Sequence, residues 1–371
     1  MSDYLYKVSA SGRVNIIGEH IDYCGGKVFP AALSLKNTVY IRPNGTDTIN
    51  IEWTTLRDRV SLDTGKLESY RGLKYGNYQA GSALMWKEAG HKVLGCDMLH
   101  DCTVPFGSGL SSSAAIEVST MASLAVIAGE KIDPVEIALL SQKAEREFTG
   151  VNCGIMDQYA SACGKKDMAI LLDCKSLKCE FVPFRLDGYR LIIANSNKPH
   201  SLVVSKYNER RAECERALEI LKGKLDISCL ADLNEQDFEK YSKLLHETVE
   251  KRARHVVEEC ARVNCAVNAM KKGNIPLLGG LLNASHRSLK ELYEVTGKEL
   301  DALAESAQRH PACAGSRMTG AGFGGCTVSI VEESAVDDFK RTVGEQYLKK
   351  TGYRADFYEA EISDGITVEK L

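Results

Sequence analysis

The sequence predicts two domains that combine strands and helices. Its 371 residues exceed what one hydrophobic core usually organises, and they suit two domains of ordinary size. Alternating apolar and polar residues predict strands within residues 4–63, whereas the helical spacing of apolar residues dominates the second half. We expect one domain of residues 1–180, a second of residues 181–371, and a ligand cleft between them.

Composition and charge argue against several classes of partner. Charged residues make up 26% of the chain and the formal net charge is -3, so no basic surface for nucleic acid is expected. The thirteen cysteines form no Cys-x2-Cys pair, which predicts reduced thiols rather than a zinc site or a disulfide framework. The N-terminus lacks the apolar core of a signal peptide, and no apolar run approaches the roughly 18 residues of a membrane span. We therefore expect a cytoplasmic protein that binds a small polar ligand, with no nucleic-acid or membrane partner.

The first strands enclose an unusual polar segment. Apolar runs predict strands at residues 14–17, 28–29 and 38–41 and within 47–63, joined by turns. The polar residues of the segment are Arg13, Glu19, His20 and Asp22, which lie among glycines 18, 25 and 26. Such a segment is compatible with a solvated loop. Its glycines would equally allow the backbone to fold the polar groups inward around a ligand rich in hydroxyl groups.

A glycine-rich loop then leads into a helix. A helix over residues 77–89 and a strand over 99–104 precede it. The loop consists of Gly107, Ser108, Gly109, Leu110, Ser111, Ser112 and Ser113. Free N–H groups at a helix N-terminus bind phosphate, and the serine hydroxyls can reach a phosphate or its magnesium ion. The lysine of the usual P-loop is missing, and an ordinary serine-capped helix after a turn is the alternative.

Two acidic residues on the following helices are candidates for a functional role. Asp133 and Pro134 predict the start of a helix that Gly150 ends. Glu145 lies near the C-terminal end of this helix, either as a surface residue paired with a basic neighbour or as a metal ligand. Asp157 lies in the first turn of a short helix, where the helix dipole stabilises its charge, and it serves either as a cap or as a catalytic carboxylate.

The second half contains further helices and a second glycine-rich loop. Strands at residues 169–172 and 189–195 flank the predicted domain boundary. The predicted helices cover residues 207–221, 247–271, 288–293 and 298–309. The second loop, residues 318–326, precedes a strand at 327–330, and its glycines allow the backbone to lie against a ligand or against another loop.

Three segments together resemble one family of enzymes. Residues 12–23, with the sequence Gly-Arg-Val-Asn-Ile-Ile-Gly-Glu-His-Ile-Asp-Tyr, resemble the galactokinase signature. Residues 107–115 resemble the phosphate loop of the GHMP small-molecule kinase superfamily, and residues 318–326 resemble its third motif. Shorter stretches at residues 154–158, 254–257, 285–289 and 293–295 also resemble galactokinases. The likeness covers nearly the whole chain.

The resemblance implies a fold, a reaction and a set of site residues. The fold would be the two-domain α+β GHMP kinase fold, with the active site in the cleft between an N-terminal and a C-terminal α+β domain. The reaction would transfer the γ-phosphoryl group of MgATP to the C1 hydroxyl of α-D-galactose, a step of galactose catabolism. Asp157 resembles the carboxylate that takes or orients the C1 hydroxyl proton, Arg13 the cation beside it, and Ser113 and Glu145 the Mg²⁺ ligands. The implied sugar contacts are Glu19, His20, Asp22, Gly154 and Tyr207, and the implied ATP contacts are Gly107, Ser108, Gly109, Leu110, Ser111, Ser112 and Ser113.

Departures from the family pattern leave alternatives open. Ser11 stands where the family usually has proline, Cys24 where it usually has asparagine, and Ala321 where it usually has glycine. Because Cys24 lies beside the sugar segment, kinases of N-acetylgalactosamine or L-arabinose are alternatives. Galactokinase-like transcriptional sensors bind sugar and ATP without catalysis but lose residues of the phosphate loop, which is intact here. A monomer or a weak homo-oligomer is expected.

Overall fold

This computed structural model describes residues 3–199 and 203–371. The strands in these ranges form three sheets. The strands are β1 (Tyr6–Asn15), β2 (Lys27–Val28), β3 (Pro30–Pro43), β4 (Thr48–Trp53), β5 (Arg59–Asp63), β6 (Cys96–Cys102), β7 (Met168–Asp173), β8 (Cys179–Pro183), β9 (Tyr189–Asn195), β10 (Cys313–Thr319), β11 (Cys326–Glu332), β12 (Asp356–Glu359) and β13 (Thr367–Lys370). Their orders are β13-β1-β3-β6-β4-β5, β10-β11-β9-β12 and β2-β7-β8.

Helices cover these sheets in both halves of the chain. They are α1 (Asn77–Glu88), α2 (Ser112–Ile127), α3 (Pro134–Ala144), α4 (Met156–Cys163), α5 (Val203–Lys222), α6 (Glu235–Tyr241), α7 (Glu247–Lys271), α8 (Ile275–Glu291), α9 (Gly297–Gln308) and α10 (Val336–Thr351). Helix α2 packs against β1 and β3 with α1, α3 and α4 around it, and α8 and α9 pack against β10. Over the described ranges, no helix is both long and apolar enough to cross a membrane. The α+β fold expected from the resemblance is confirmed.

Helix α2 is the central helix of the first half, and its sequence explains its position. Residues 114–125 are buried without interruption, so the helix packs on all sides rather than along one stripe. Its interior hydroxyls turn back to the helix backbone: Thr120 Oγ1 donates to the Ile116 carbonyl at 2.7 Å and Ser123 Oγ to the Ser119 carbonyl at 2.6 Å. The helix can therefore be fully enclosed while its N-terminus opens towards the glycine-rich loop.

The end of the chain returns to the first sheet. Strand β13 pairs antiparallel with β1, with Val8 opposite Val368, and Ser11 Oγ donates to the Asp364 carbonyl at 2.7 Å. Ser11, which departs from the family pattern, thus anchors the C-terminal segment. The division into residues 1–180 and 181–371 stays a prediction.

Most predicted elements are present, but one predicted helix is wrong in extent. Helices α1 and α7 match their predictions, and Asp133 caps α3 by accepting hydrogen bonds from the backbone of Val135 and Glu136. The predicted helix at residues 288–293 is the end of α8, which begins at Ile275. A Cβ atom on Gly279 would lie 2.0 Å from the Ala314 carbonyl oxygen, so this glycine lets α8 approach β10 closely instead of ending a helix.

Several further elements escaped the sequence analysis in part or in full, among them the strands β8, β12 and β13. Helices α6 and α10 were not predicted, and β10 begins at Cys313, so residues 318 and 319 belong to a strand rather than to the second loop. Beyond α3, residues Glu145–Thr149 continue as one π-helical turn that ends at Gly150, where φ is 84°. This turn places Glu145 at a break in the regular helix.

Candidate active site

A cavity of about 480 Å³ lies between the polar segment after β1, the two glycine-rich loops and helices α4 and α5. Most of the predicted site residues line it: Arg13, Glu19, His20, Asp22, Gly107, Gly109, Ser111, Ser112, Ser113, Glu145, Gly154, Asp157 and Tyr207. The remaining lining residues are Tyr78, Val151, Cys153, Met156, Val204, Gly320, Ala321, Gly322, Gly324 and Gly325. The fold therefore brings residues from both halves of the chain to one cavity.

Two predicted loop residues, Ser108 and Leu110, lie behind the cavity wall. Leu110 is fully buried, and its carbonyl accepts a hydrogen bond from the Arg13 backbone N–H at 3.0 Å. Ser108 Oγ donates to the Pro105 carbonyl at 2.7 Å and closes the turn. Their side chains support the loop from behind.

Arg13 and Asp157 form a bidentate ion pair at the cavity. Arg13 Nε lies 2.8 Å from Oδ1 of Asp157, and Arg13 Nη2 lies 2.9 Å from Oδ2. Ser111 Oγ also donates to Oδ2, and Arg13 Nη1 donates to the Gly109 carbonyl. Burial disfavours the charge of Arg13, but attraction to Asp157 and Glu19 outweighs it and raises the pKa of Arg13. Since Arg13 is buried while 30% of the Asp157 side chain stays exposed, the carboxylate is the member that faces a ligand.

The two glycine-rich loops pack directly against each other. A Cβ atom on Gly320 would lie 2.8 Å from the Gly109 carbonyl oxygen, and one on Gly325 would lie 2.8 Å from that of Ser108. Gly320 and Gly325 both have positive φ, 90° and 87°, so other residues would be strained there. Of the two expected roles of the second loop, packing against another loop is therefore observed. The second loop also lines the cavity.

Glu19 joins the polar segment to the second loop. Its Oε1 accepts hydrogen bonds from Thr319 Oγ1 at 2.9 Å and from the Gly320 backbone N–H at 2.7 Å, and its Oε2 accepts one from Asn15 Nδ2 at 2.9 Å. Arg317 Nη2 lies 3.0 Å from Oε1. Burial would raise the pKa of Glu19, but nearby arginines outweigh it and lower the pKa, so the group is ionised. Both carboxylate oxygens have protein donors.

His20 is a second link between these segments. Its Nε2 lies 3.1 Å from the Ala321 carbonyl oxygen and must carry the proton, because a carbonyl only accepts. Its Nδ1 therefore accepts from the Tyr23 hydroxyl at 2.8 Å, which in turn lies 2.8 Å from the Tyr293 hydroxyl. Burial lowers the pKa of His20 to about 4, so the ring is neutral. The ring lines the cavity as part of this hydrogen-bonded chain.

Asp22 is a buried carboxyl group in the wall of the cavity. It lies in a 3-10 helix, Asp22–Cys24. Gly154 lies so near that a Cβ atom on it would be 1.9 Å from Asp22 Oδ2. Burial and repulsion from Asp157 raise the pKa of Asp22 to about 7, against the backbone hydrogen bond from Tyr23. A hydroxyl donor would offset this burial cost.

Ser113 and Glu145 meet at the start of α2, and their donor atoms fit Mg²⁺. The Ser113 hydroxyl hydrogen-bonds to Glu145, which helps to lower the pKa of that carboxyl, but burial and repulsion from Asp157 outweigh it and raise the pKa to about 7. Glu145 is buried, which rules out the surface pairing considered from the sequence. Across the described residues, no cluster of three or more histidine, cysteine or acidic side chains could hold a metal ion. Mg²⁺ needs none, since it typically uses one or two carboxylates together with water and substrate phosphates.

Helix α7 supplies supporting residues that sequence reasoning missed. His255 Nε2 lies 3.1 Å from the Glu19 carbonyl oxygen, and Glu259 Oε1 accepts from the Gly18 backbone N–H at 3.1 Å. Both therefore hold the backbone of the polar segment. In the sequence, only the likeness of residues 254–257 to galactokinases pointed to a role of this helix near the site. Patterns of residue spacing do not reveal contacts between residues 236 or more positions apart.

Cys24 lies behind the polar segment and not on the cavity surface. It is 5% exposed, and a hydrogen bond with Cys214 and burial raise the pKa of its thiol. Any effect of Cys24 on sugar preference would therefore pass through the position of Asp22 or Tyr23.

Comparisons with known proteins agree with one another. Three family models match: "GHMP kinases N terminal domain" over residues 77–165, "GHMP kinases C terminal" over residues 266–349, and "Galactokinase galactose-binding signature" over residues 3–43. A curated galactokinase of Clostridium tetani is 45% identical over 356 residues, which are 95% of this chain and 91% of that protein. One of Limosilactobacillus reuteri is 44% identical over 363 residues, 95% of this chain and 93% of that protein.

Solved structures extend the comparison to the fold. The crystal structure of Lactococcus lactis galactokinase complexed with galactose has a TM-score of 0.96 and 41% identity, covering 98% of this chain and 95% of that one. Methanococcus jannaschii mevalonate kinase has a TM-score of 0.72 at 18% identity, covering 98% of this chain and 100% of that one. The second match shows a shared fold.

Proposed function

Because the chain belongs to the galactokinase family of GHMP kinases, it is an ATP-dependent sugar kinase, and we propose that it phosphorylates the C1 hydroxyl of α-D-galactose. The observation that best supports this reaction is the Arg13–Asp157 pair, whose carboxylate faces the cavity beside the N-terminus of α2. A carboxylate next to a phosphate site is the arrangement that transfer to a hydroxyl requires.

In this proposal, Asp157 handles the proton of the acceptor hydroxyl. The C1 oxygen attacks the γ-phosphorus of ATP, its proton passes to Asp157, and ADP leaves with the electrons of the broken phosphoanhydride bond. Arg13 keeps the carboxylate oriented through both oxygens and balances the charge at the reacting centre. A positioned base typically contributes roughly 10²- to 10⁴-fold to the rate.

The phosphate end of the cavity needs little more than the helix and the loop. Ser111, Ser112 and Ser113 line the cavity at the N-terminus of α2, where their backbone N–H groups and hydroxyls would bind phosphate oxygens. We propose that Ser113 and Glu145 hold Mg²⁺, which when bound would neutralise charge on the phosphates. The missing P-loop lysine is then not needed.

The sugar end carries the specificity. We propose that Asp22, Glu19, His20, Gly154 and Tyr207 surround the galactose, with Asp22 as the main acceptor. A buried carboxylate can accept two or more hydrogen bonds from neighbouring hydroxyl groups. Hydrogen bonds to a charged group are worth about 1.5–3 kcal/mol each, enough to favour one hydroxyl pattern over another.

The test is ADP release from MgATP with galactose, N-acetylgalactosamine, L-arabinose and glucose in parallel. We expect galactose-dependent turnover that falls at least about 10²-fold in Asp157→Asn, with galactose binding retained. Asp133→Asn is the matched control, since Asp133 caps α3 and asparagine caps equally well. Wild-type-like turnover in Asp157→Asn would refute the proposed base.

Other outcomes would point to the alternatives. Turnover with N-acetylgalactosamine or L-arabinose but not with galactose would keep the mechanism and change the substrate. Galactose binding without turnover of any sugar would indicate a sensor. The cytoplasmic location and the monomeric or weakly associating state stay predictions from the sequence.

A further inference from the structure

Behind the cavity, two buried carboxyl groups share one side-chain amide. Gln158 follows Asp157 on α4 and is fully buried. Its Nε2 donates to Oε2 of Glu145 and lies 3.4 Å from Oε2 of Glu117. Glu117 is also fully buried and lies one turn after Ser113 on α2. The amide therefore connects one proposed metal ligand to the helix that carries the other.

The two carboxyl groups determine how the Gln158 amide is oriented. An amide nitrogen has two hydrogens, one for each of the two acceptors, whereas the opposite orientation would bring Oε1 against both carboxyl oxygens. In the described part of the chain, Oε1 of Gln158 and Oε1 of Glu117 are buried without a hydrogen-bond partner. Such an arrangement is costly in a protein interior, and apolar residues of similar size would avoid the cost. Its presence beside Glu145 calls for a functional reason.

Glu145 needs support from outside its own backbone. It begins the π-helical turn Glu145–Thr149, where the regular hydrogen bonding of α3 has ended. The Cys153 thiol donates to the same Oε2 atom at 3.6 Å. Both contacts fall on Oε2, so together they set the rotation of the carboxylate plane. That rotation decides whether the carboxylate can meet a metal ion beside Ser113.

We propose that Gln158 and Glu117 are positioning residues that hold Glu145 for the metal ion of the bound nucleotide, an inference that rests on the proposed function. Partners behind a metal ligand fix its orientation, and their mutation typically costs roughly 10- to 100-fold in metal affinity or activity. Gln158 is also the neighbour of Asp157 on α4. The same helix turn thus positions the proposed base and, through the amide, the proposed metal ligand.

The test measures Mn²⁺ binding to the full chain with ADP by electron paramagnetic resonance. Gln158→Met removes the amide at similar length and should weaken Mn²⁺ binding at least about tenfold. Galactose affinity without nucleotide should stay at the wild-type value. Gln308→Met is the matched control, because Gln308 Nε2 makes the same kind of bond, to the Ser316 carbonyl at 2.8 Å, but does not line the cavity or contact Glu145. It should bind Mn²⁺ as the wild type does.

A second variant keeps the test decisive if Gln158→Met folds poorly. Glu117→Met has a similar length, removes the oxygen atoms that face Gln158 Nε2, and should weaken Mn²⁺ binding in the same direction. Wild-type Mn²⁺ affinity in the folded variants would overturn the proposal, as would an equal loss in Gln308→Met. Failure of the proposed function would appear separately, as absence of galactose-dependent ADP release by the wild type, and would leave the Mn²⁺ measurement readable.

Discussion

Galactose binding should weaken as the pH falls from 8 to 6, because one carboxyl group of the proposed sugar site titrates in this range. Burial and repulsion from Asp157 raise the pKa of Asp22 to about 7. Roughly nine tenths of Asp22 is then ionised at pH 8 and roughly one tenth at pH 6. Since the ionised group is the stronger acceptor, the apparent dissociation constant should rise close to tenfold, or about 1.4 kcal/mol. The pKa of His20, about 4, keeps that residue neutral throughout.

Isothermal titration calorimetry with galactose alone is the suitable assay, because ATP itself titrates near this range. Buffers of different ionisation enthalpy should show that binding releases protons near pH 6.5 in the wild type. Asp22→Asn should bind galactose at least about tenfold more weakly at pH 8, through loss of a charged acceptor, and should show no pH dependence. A flat dissociation constant in the wild type, or the same slope in Asp22→Asn, would refute the assignment.

The same pKa predicts the opposite trend for the stability of the ligand-free protein. The folded-state pKa of Asp22 lies above its ordinary value of 3.8, so ionisation costs free energy in the folded state alone. The stabilising contribution of the protonated group is fully present below about pH 4 and is lost as the pH rises through about 7. Asp22→Asn should therefore have a higher free energy of unfolding than the wild type at pH 8, measured with urea. A lower value there would contradict the argument.

Two further predictions concern the support of the site. Gly154→Ala would place a Cβ atom 1.9 Å from Asp22 Oδ2 and displace the carboxylate. The KM for galactose should therefore rise roughly 10²-fold, while the affinity for nucleotide stays unchanged. Steady-state kinetics at varied galactose measure the first effect, and fluorescence titration with ADP measures the second. Glu259→Gln removes the charge that holds the Gly18 N–H and Arg262, which should lower the free energy of unfolding by about 3 kcal/mol at pH 7 in urea. Burial alone would raise the pKa of Glu259, but attraction to Arg262, His255 and Arg317 and the hydrogen bond from Ser285 together outweigh it and lower the pKa to about 2. The contribution of Glu259 is therefore present above about pH 4.5, and the difference should shrink at lower pH.

Local signals in the sequence predicted much of the fold and of the site. The cap at Asp133 and the glycine loops depend on neighbouring residues, so their patterns are visible along the chain. Glycine has two structural roles that the sequence does not distinguish. Gly150 ends a helical segment, whereas Gly279 lies inside α8 because the Ala314 backbone passes close by. The second role depends on a strand more than thirty residues away, which explains why the start of α8 was missed.

Contacts between distant segments lay beyond local patterns. Arg13 and Asp157 are 144 residues apart, and only the resemblance to a family placed them together. Strand β13 returns to β1 through pairing that short terminal runs do not reveal. The support of the polar segment by α7 likewise depends on tertiary packing, and the buried Glu259 had no signal of its own.

The polar segment has a structural task as well as a proposed sugar-binding one, and the two cannot be separated. Glu19 and His20 both bind the backbone of the second loop, at Gly320 and Ala321, while that loop packs against the loop at Gly109. The residues proposed to face the sugar therefore also hold together the wall of the cavity on the proposed phosphate side. A change at Glu19 would leave buried donors of the second loop without their acceptor and move that wall, so it would affect both substrates at once. Asp22 carries no such link, which makes it the residue through which sugar binding can be changed alone.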